Sequence, residues 1–196
     1  MKRIEFVSKL KGLADTFPII DSKGVKRKWT KKAREDYLKV KDRLKAFDHP
    51  YRCPGIFELM ATGYILPAWI DFTISTKKGQ PGFIQSHNFI DTHSNDIMEL
   101  IPRSPNTLKN IVKIHTPWHV VAPLDTKFLF LPVPYPDSFE FTNVSGILDP
   151  TLSTEINIQL DWHILDGEYT VKKGTPLGQI IPLTDKKHYV FCRDEN

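Results

Sequence analysis

A strict alternation of apolar and polar residues runs through Glu155-Ile-Asn-Ile-Gln-Leu-Asp-Trp-His-Ile164, in the middle of the stretch from Phe139 to Leu183. A period of two predicts a β-strand with one buried and one wet face. Asp166-Gly167 follows as a turn pair, and Gly174 precedes a further apolar run. This order of strand, turn and strand is typical of the closing part of an antiparallel barrel or sandwich.

Composition favours one domain with a core and argues against several classes of protein. The chain has 196 residues, 15 prolines and 10 glycines, which suits a fold with many turns. No apolar run approaches the roughly 20 residues needed to cross a bilayer, and the N-terminus does not resemble a secretory signal, so we expect no membrane partner. Cys53 and Cys192 do not make a disulfide framework, which predicts a reduced cytoplasm or a particle assembled there.

Positive charge is concentrated at the start of the chain. Residues 1–50 carry fifteen Lys and Arg against seven Asp and Glu, a net +8, whereas the remainder carries twelve against sixteen, a net −4. This asymmetry is typical of a contact with nucleic acid or another polyanion. It is also typical of a solvated helix on an acidic body, and because charge alone is weak evidence both interpretations stay open.

A long helix is predicted inside this basic segment, with Thr30 as its N-cap and His49-Pro50 at its end. Lys31, Lys32 and Arg34 lie off its apolar stripe and are our candidates for binding nucleic acid. The stripe itself has spacings of four and three and consists of Ala33, Tyr37, Val40, Leu44 and Phe47. We therefore divide the chain into a basic helical extension over residues 1–49 and a β-domain over residues 50–196.

A second clear strand is predicted from Tyr64 to Thr76, after a short helix that Gly63 ends. Pro67 lacks an amide donor, which places this strand at a sheet edge or a bulge. Its apolar face consists of Leu66, Ala68, Ile70, Phe72 and Ile74. A turn over residues 77–82 leads to a returning strand at 83–85, and further strands are predicted over 110–115, 118–122, 127–133 and 139–144. The polar loop between them contains a helical turn at residues 97–101.

Histidines suggest a metal site as an alternative function. His87 and His93 lie near Asp91 and Asp96, and His115 and His119 are four residues apart. On a strand, that spacing puts two side chains on one face at about 13 Å, which is too far for one ion without a bend. These histidines would serve a metal-dependent oxygenase, but no diagnostic ligand spacing occurs, and our main prediction includes neither a metal nor another cofactor.

Other catalytic motifs are missing from the sequence. It contains no Gly-x-Ser-x-Gly nucleophile elbow and no glycine-rich phosphate loop. Cys53 and Cys192 lack a local signature of a catalytic thiol, so each is interpreted as a small core residue.

The order Gly146-Ile-Leu-Asp149, strand, Lys173-Gly-Thr-Pro-Leu-Gly-Gln179 resembles the later motifs of the dUTPase and dCTP-deaminase β-clip fold. This resemblance covers residues 108–183 at best and implies a nucleotide-binding or nucleotide-hydrolysing protein with Asp149 as the base. Leu152 stands nearest the place of the family's stacking tyrosine, and Pro132-Val-Pro-Tyr135 replaces its phosphate cradle. We interpret the resemblance as shared architecture.

A wider resemblance covers most of residues 50–183. Gly63-Tyr-Ile-Leu-Pro-Ala-Trp-Ile-Asp-Phe72, Pro117-Trp118, Gly146-Ile-Leu-Asp149 and Lys173-Gly-Thr-Pro-Leu177 are similar to segments of an uncharacterised family of tailed phages, many of them marine. The resemblance implies a phage or phage-derived origin, and hence a place in the virion or the host cytoplasm. It implies no activity.

Aromatic residues beside prolines suggest a partner surface. Trp69, Trp118 and Tyr135 are our candidates, with a second packed layer as the alternative for Trp69. The sequence thus predicts a mainly β protein, either an antiparallel β-sandwich or a β-clip-like barrel, with a basic N-terminal helix. We expect a non-enzymatic phage protein, a virion component or a binder of a host or phage factor, which forms a homo-oligomer through its sheet edges.

Overall fold

The computed structural model of the protein describes residues 2–42, 49–93, 102–184 and 187–195. As predicted, the fold is mainly β, with 41% strand against 18% helix. The described strands are β1 Lys2–Ser8, β2 Ile20–Asp21, β3 Tyr64–Pro67, β4 Phe72–Thr76, β5 Phe83–Gln85, β6 Ile90–Thr92, β7 Val112–Val121, β8 Lys127–Leu131, β9 Phe141–Asn143, β10 Gly146–Leu148, β11 Glu155–Trp162, β12 Gly167–Val171, β13 Pro176–Leu183 and β14 His188–Asp194.

The described helices are short except for one. They are α1 Leu13–Thr16, α2 Lys28–Val40 and α3 Pro54–Ala61, with single 3-10 turns at Ser22–Gly24 and Pro50–Arg52. None of them is long and apolar enough to span a membrane. The predicted helical turn at residues 97–101 and the second half of the predicted long helix lie largely outside the described residues.

The strands form three sheets. The first has the order β14-β1-β7-β11-β9, with β6 also paired to β7; the second has the order β10-β8-β13-β3-β2; the third is β12-β4-β5. Pairing is antiparallel except between β1 and β14, which run parallel from Lys2 beside His188 to Ser8 beside Asp194. Within the described residues no sheet closes into a barrel, so the closed form of the predicted architecture is not observed.

The two larger sheets share one core with the third. In β11 the predicted alternation is confirmed, since Ile156, Ile158, Leu160 and Trp162 are completely buried. They pack in one cluster with Ile4 and Phe6 of β1, Leu66 of β3, Phe72 of β4, Phe128 of β8 and Ile180 of β13. Burial of an aliphatic or aromatic side chain stabilises a fold by about 1.5–3 kcal/mol, and this shared cluster therefore fixes the sheets against each other.

Several local predictions are wrong. Residues 2–8, placed in the helical extension, form strand β1 between β7 and β14 of the largest sheet. The stretch from Tyr64 to Thr76 is two strands in different sheets, and Ile70 in the bend between them is 40% exposed. The two strands predicted over 110–115 and 118–122 are one strand, β7. Pro117 does not interrupt it, because this residue lies where the pairing with β11 is irregular and its missing amide breaks no regular pair.

The start of α2 also differs from the prediction. The helix begins at Lys28, and the capping group is the Asp137 carboxylate, which accepts from the Lys28 amide at 3.0 and 3.1 Å. An anion at this position satisfies an unpaired amide and complements the helix dipole. Thr30, the predicted N-cap, instead donates its hydroxyl to the Arg27 carbonyl at 2.7 Å.

Candidate functional site

The N-terminus of α2 is attached to the connection between β8 and β9 by three hydrogen bonds. Arg27 Nε donates to the Pro134 carbonyl at 2.9 Å, the Lys28 amide donates to Asp137, and Trp29 Nε1 donates to the Tyr135 carbonyl at 3.1 Å. We call this arrangement the clasp. It separates two concave features of the surface, which share Val25, Lys26 and Arg27 as lining residues.

The first feature is an open groove of about 680 Å³ between α2 and α3, which we call the basic groove. Its cationic side is formed by Lys26, Arg27, Lys28, Lys31 and Arg34. Its apolar side is formed by Val25, Tyr51, Phe57 and Met60. Two of the sequence-predicted binding residues, Lys31 and Arg34, therefore lie in one surface, whereas Lys32 is exposed on α2 without lining it.

The aromatic side of the groove belongs to a larger ring cluster. The Tyr51 and Phe57 rings meet edge to face at 5.2 Å, and Phe57 lies 6.3 Å from the Trp29 ring. Trp29 in turn meets the Tyr135 ring edge to face at 6.1 Å. These contacts explain why α2 holds its position although none of its residues is fully buried.

Tyr135 occupies a strained position in the clasp. Its φ of 50° is the one positive value at a non-glycine residue among the described residues, and its side chain is 45% exposed. A non-glycine residue in this region costs about 1–3 kcal/mol and persists where the surroundings hold it. Here the bond from Trp29 to the Tyr135 carbonyl and the ring contact between them hold it.

The second feature is a cavity of about 370 Å³ on the other side of the clasp, which we call the Arg27 cavity. It lies between the clasp, β9 and the start of β13, and most of its walls are apolar: Val25, Pro132, Val133, Pro136, Phe139, Phe141, Pro176 and Leu177. Arg27 and Asn143 also line it, although their residues are only 4% and 3% exposed. Sequence reasoning missed both residues, since neither has a local signal.

The carboxylate of Asp149, the candidate catalytic base, is engaged in contacts within its own turn and with β8. Its carboxylate accepts from the hydroxyl and the amide of Thr151 at 2.6 and 3.0 Å, and Lys127 Nζ lies 2.9 Å away. The bond from the Thr151 hydroxyl, together with Lys127, lowers the pKa of Asp149 to about 2. A carboxylate with so low a pKa is a weak proton acceptor near neutral pH.

The predicted histidine site is not brought together among the described residues, where no three His, Cys, Asp or Glu side chains could hold one ion. His87 stacks on the Phe89 ring at 5.0 Å and shares a hydrogen bond with Ser86. His93 lies beside β10 and β11 in a separate cavity. His115 and His119 are both on β7, opposite Asn157 and Glu155 of β11. Asp96 lies outside the described residues.

Two of the candidate aromatic residues lie away from the groove. Trp118 is a core residue with 1% of its surface exposed, so its ring is not accessible to a partner. Trp69 is half-buried, packs against the core and lies 4.8 Å from the Phe89 ring. This position agrees with the alternative interpretation of Trp69, in which its ring belongs to a second packed layer and not to a partner surface.

No family model matches the chain, and no curated protein matches it.

Proposed function

We propose that the protein is a non-enzymatic, phage-derived protein that acts by binding, and that the basic groove is its binding surface for an acidic segment of a partner protein. The observation that carries the proposal is that five basic residues and four apolar ones line one open groove. The cations would attract and orient an acidic chain, and the half-buried rings would bury apolar side chains of that chain.

The arrangement of the rings favours a polypeptide over bases. Tyr51, Phe57 and Trp29 pack on one another at steep angles, with edge-to-face contact between Tyr51 and Phe57. A groove for single-stranded nucleic acid typically offers ring faces on which bases stack. Ring edges beside Met60, which is itself buried, suit aliphatic and aromatic side chains better.

Single-stranded nucleic acid is the second candidate, on one specific observation. Lys31, Lys32 and Arg34 are all exposed on α2, so positive charge extends from the groove over the outer face of the helix. Such a stripe binds phosphates without reading sequence.

Two observations favour binding over catalysis. The Asp149 carboxylate is held by Thr151 and Lys127, and its lowered pKa does not suit a general base. The histidines proposed for an oxygenase are dispersed over the described residues. A nucleotide hydrolase and a metal-dependent oxygenase are therefore less well supported than a binding protein.

The phage origin is supported by the sequence resemblance over residues 50–183. On this basis we propose that the protein acts in the virion or in the host cytoplasm, and mass spectrometry of purified particles would distinguish the two. For the architecture we infer an antiparallel sandwich of the two larger sheets, supported by the core that they share. A β-clip-like arrangement remains the alternative.

The experiment measures fluorescence anisotropy of two labelled ligands, a short peptide rich in Asp and Leu and an oligothymidylate of similar charge. We expect the peptide to bind more tightly at moderate salt, because its apolar side chains contribute and screening weakens purely ionic binding. The double variant Lys31→Glu/Arg34→Glu should lose at least about tenfold in affinity, since it reverses charge inside the groove.

The matched control is Lys77→Glu/Lys78→Glu, which makes the same charge change in the exposed turn between β4 and β5. It should leave peptide affinity within about twofold of the unchanged protein. Equal losses in both double variants would mean that net charge, not the groove, determines binding. Tighter binding of the oligothymidylate would establish the second candidate instead.

A further inference from the structure

Arg27 is a buried cation with an unused hydrogen-bonding edge. Its Nε donates to the Pro134 carbonyl at 2.9 Å, Nη1 makes a long 3.4 Å contact with the Val25 carbonyl, and Nη2 is buried without any hydrogen-bond partner among the described residues. Burial lowers the pKa of this guanidinium. A buried charge is costly unless an opposite charge and hydrogen bonds compensate it.

The carboxylate of Asp137 does not accept a hydrogen bond from the unpartnered donors of Arg27. Asp137 acts on Arg27 electrostatically, but its two oxygens accept from the Lys28 amide at the start of α2. No ion pair joins Arg27 to the described residues, whereas an Arg edge with two donors is suited to a bidentate carboxylate. Asp137 and Lys26 also line the cavity, but Arg27 Nη2 keeps donors that a carboxylate of an occupant would satisfy.

Asn143 supplies the opposite polarity in the same cavity. Its Nδ2 donates to the Leu131 carbonyl at 3.1 Å, which fixes the orientation of the amide because a carbonyl accepts only from the nitrogen. Its Oδ1 is buried without a partner among the described residues. Gly178 permits this position, since a Cβ there would lie 2.8 Å from Asn143 Nδ2. Asn143 lines the cavity, so an N–H group of an occupant would satisfy this unpartnered acceptor.

The other residues that line the cavity determine which kind of ligand can carry both polar groups. They are mainly apolar, and the volume of about 370 Å³ is at the small end of the range of ligand pockets. An occupant that combines a carboxylate, an N–H group and an apolar body of the size of a single residue would satisfy both unpartnered atoms and fill the apolar space. The C-terminal residue of a polypeptide has this combination: its carboxylate, its own amide N–H and its side chain.

We propose that the Arg27 cavity binds the C-terminal residue of the partner protein, with the carboxylate on Arg27, the amide N–H on Asn143 Oδ1 and an apolar side chain against the walls. This proposal deepens the proposed function. It rests on that function in one respect, namely that the acidic segment in the basic groove belongs to the same polypeptide as the C-terminal residue in the cavity. The cavity and the basic groove adjoin at Val25, Lys26 and Arg27, so acidic residues that precede the C-terminus reach the groove.

The test of the cavity uses N-acetyl-L-phenylalanine as the probe and backbone amide NMR shifts as the readout. We expect saturable binding with shifts at residues of the cavity. Two control compounds each lack one of the groups. N-acetyl-L-phenylalanine carboxamide lacks the negative charge, and N-acetyl-N-methyl-L-phenylalanine lacks the amide N–H. Each should bind at least about tenfold more weakly than the probe. Equal binding of the acid and the carboxamide would overturn the proposal.

Two variants locate the site. Arg27→Met removes the guanidinium, but it also removes the bond to Pro134, so its melting temperature must be measured alongside. Val133→Trp fills the cavity and leaves that bond intact. Both should abolish binding of the probe. Retained binding in folded Val133→Trp would contradict the assignment.

A longer ligand separates this inference from the proposed function. A peptide of several Asp residues ending in Phe should bind more tightly than the short probe, and Lys31→Glu/Arg34→Glu should remove that gain while leaving the short probe unaffected. If the short probe binds and the longer peptide gains nothing, the groove fails and the cavity stands. If the peptide binds the groove but its C-terminal carboxamide binds equally well, the cavity fails and the groove stands.

Discussion

Asp149 shows how one side chain can fit a catalytic motif and still have a structural task. It follows β10, where the motif places an acid, but its oxygens accept from Thr151 and pair with Lys127. The pKa of Asp149 is lowered to about 2 from the ordinary value of 3.8, first by the Thr151 hydroxyl. The ionised form is therefore the one that the folded protein prefers.

Asp149→Asn should lower the melting temperature at neutral pH, because the amide cannot replace the ion pair with Lys127. A lowered pKa means that the stabilisation is complete above about pH 4 and is lost as the pH falls towards 2. The difference in melting temperature between the two proteins should therefore shrink over that interval. A difference that does not change with pH would show that Asp149 stabilises the turn without its charge.

Lys127→Met is the matched partner for this measurement. It removes the other half of the ion pair, and the double variant should cost less than the sum of the two single variants, since they break one interaction. Strict additivity would mean that the contact between Asp149 and Lys127 contributes nothing measurable.

At the scale of elements, the junction between α3 and β3 depends on Gly63. Its φ of 71° follows the last turn of the helix, and a Cβ at this position would lie 2.4 Å from the Ile180 carbonyl oxygen and 2.9 Å from the Ile181 side chain. Both the conformation and the space therefore require glycine. The close approach brings the end of α3 onto β13.

Gly63→Ala should destabilise the protein by at least about 2 kcal/mol, through strain at positive φ and displacement of the β13 backbone. Thermal or urea unfolding measures the loss. Gly24→Ala is the control, because Gly24 does not have a positive φ and a Cβ there meets nothing within 4 Å. If Gly24→Ala proves as damaging as Gly63→Ala, the account of these two turns is wrong.

Elements with a local signal could be predicted, and those that depend on distant partners could not. The alternation of β11 and the glycine stop after α3 are written in consecutive residues, and both are confirmed. Strand β1 was missed because its partners, β7 and β14, lie far along the chain. The break at residues 68–71 was missed because the apolar pattern continues through a change of sheet.

The candidate site follows the same rule. Lys31 and Arg34 could be predicted because a charge run on a helix is visible in the sequence. Arg27 and Asn143 could not, because their burial results from the clasp and from the close approach of Gly178, which join separate parts of the chain. Single polar residues become informative only when the fold leaves an atom of each without a partner.

At the scale of the whole molecule, the largest sheet ends in an unprotected strand. Among the described residues β14 is outermost and pairs only with β1, so one row of its backbone groups faces outwards. Tyr189 and Phe191 on this strand are 37% and 45% exposed, and their rings meet edge to face at 5.0 Å. Natural proteins usually protect such an edge by pairing or by charge.

We expect the protein to form a homo-oligomer in which β14 pairs with β14 of a second copy, since two antiparallel copies satisfy the outward backbone groups and bury the two rings. Light scattering after size-exclusion chromatography should give a multiple of 22.6 kDa. Phe191→Glu should shift the mass towards the monomer by placing charges in the interface. Leu124→Glu, at a position 84% exposed in the loop before β8, should leave the mass unchanged. A monomeric mass for the unchanged protein at all accessible concentrations, or an unchanged mass for Phe191→Glu, would rule out this edge as the interface.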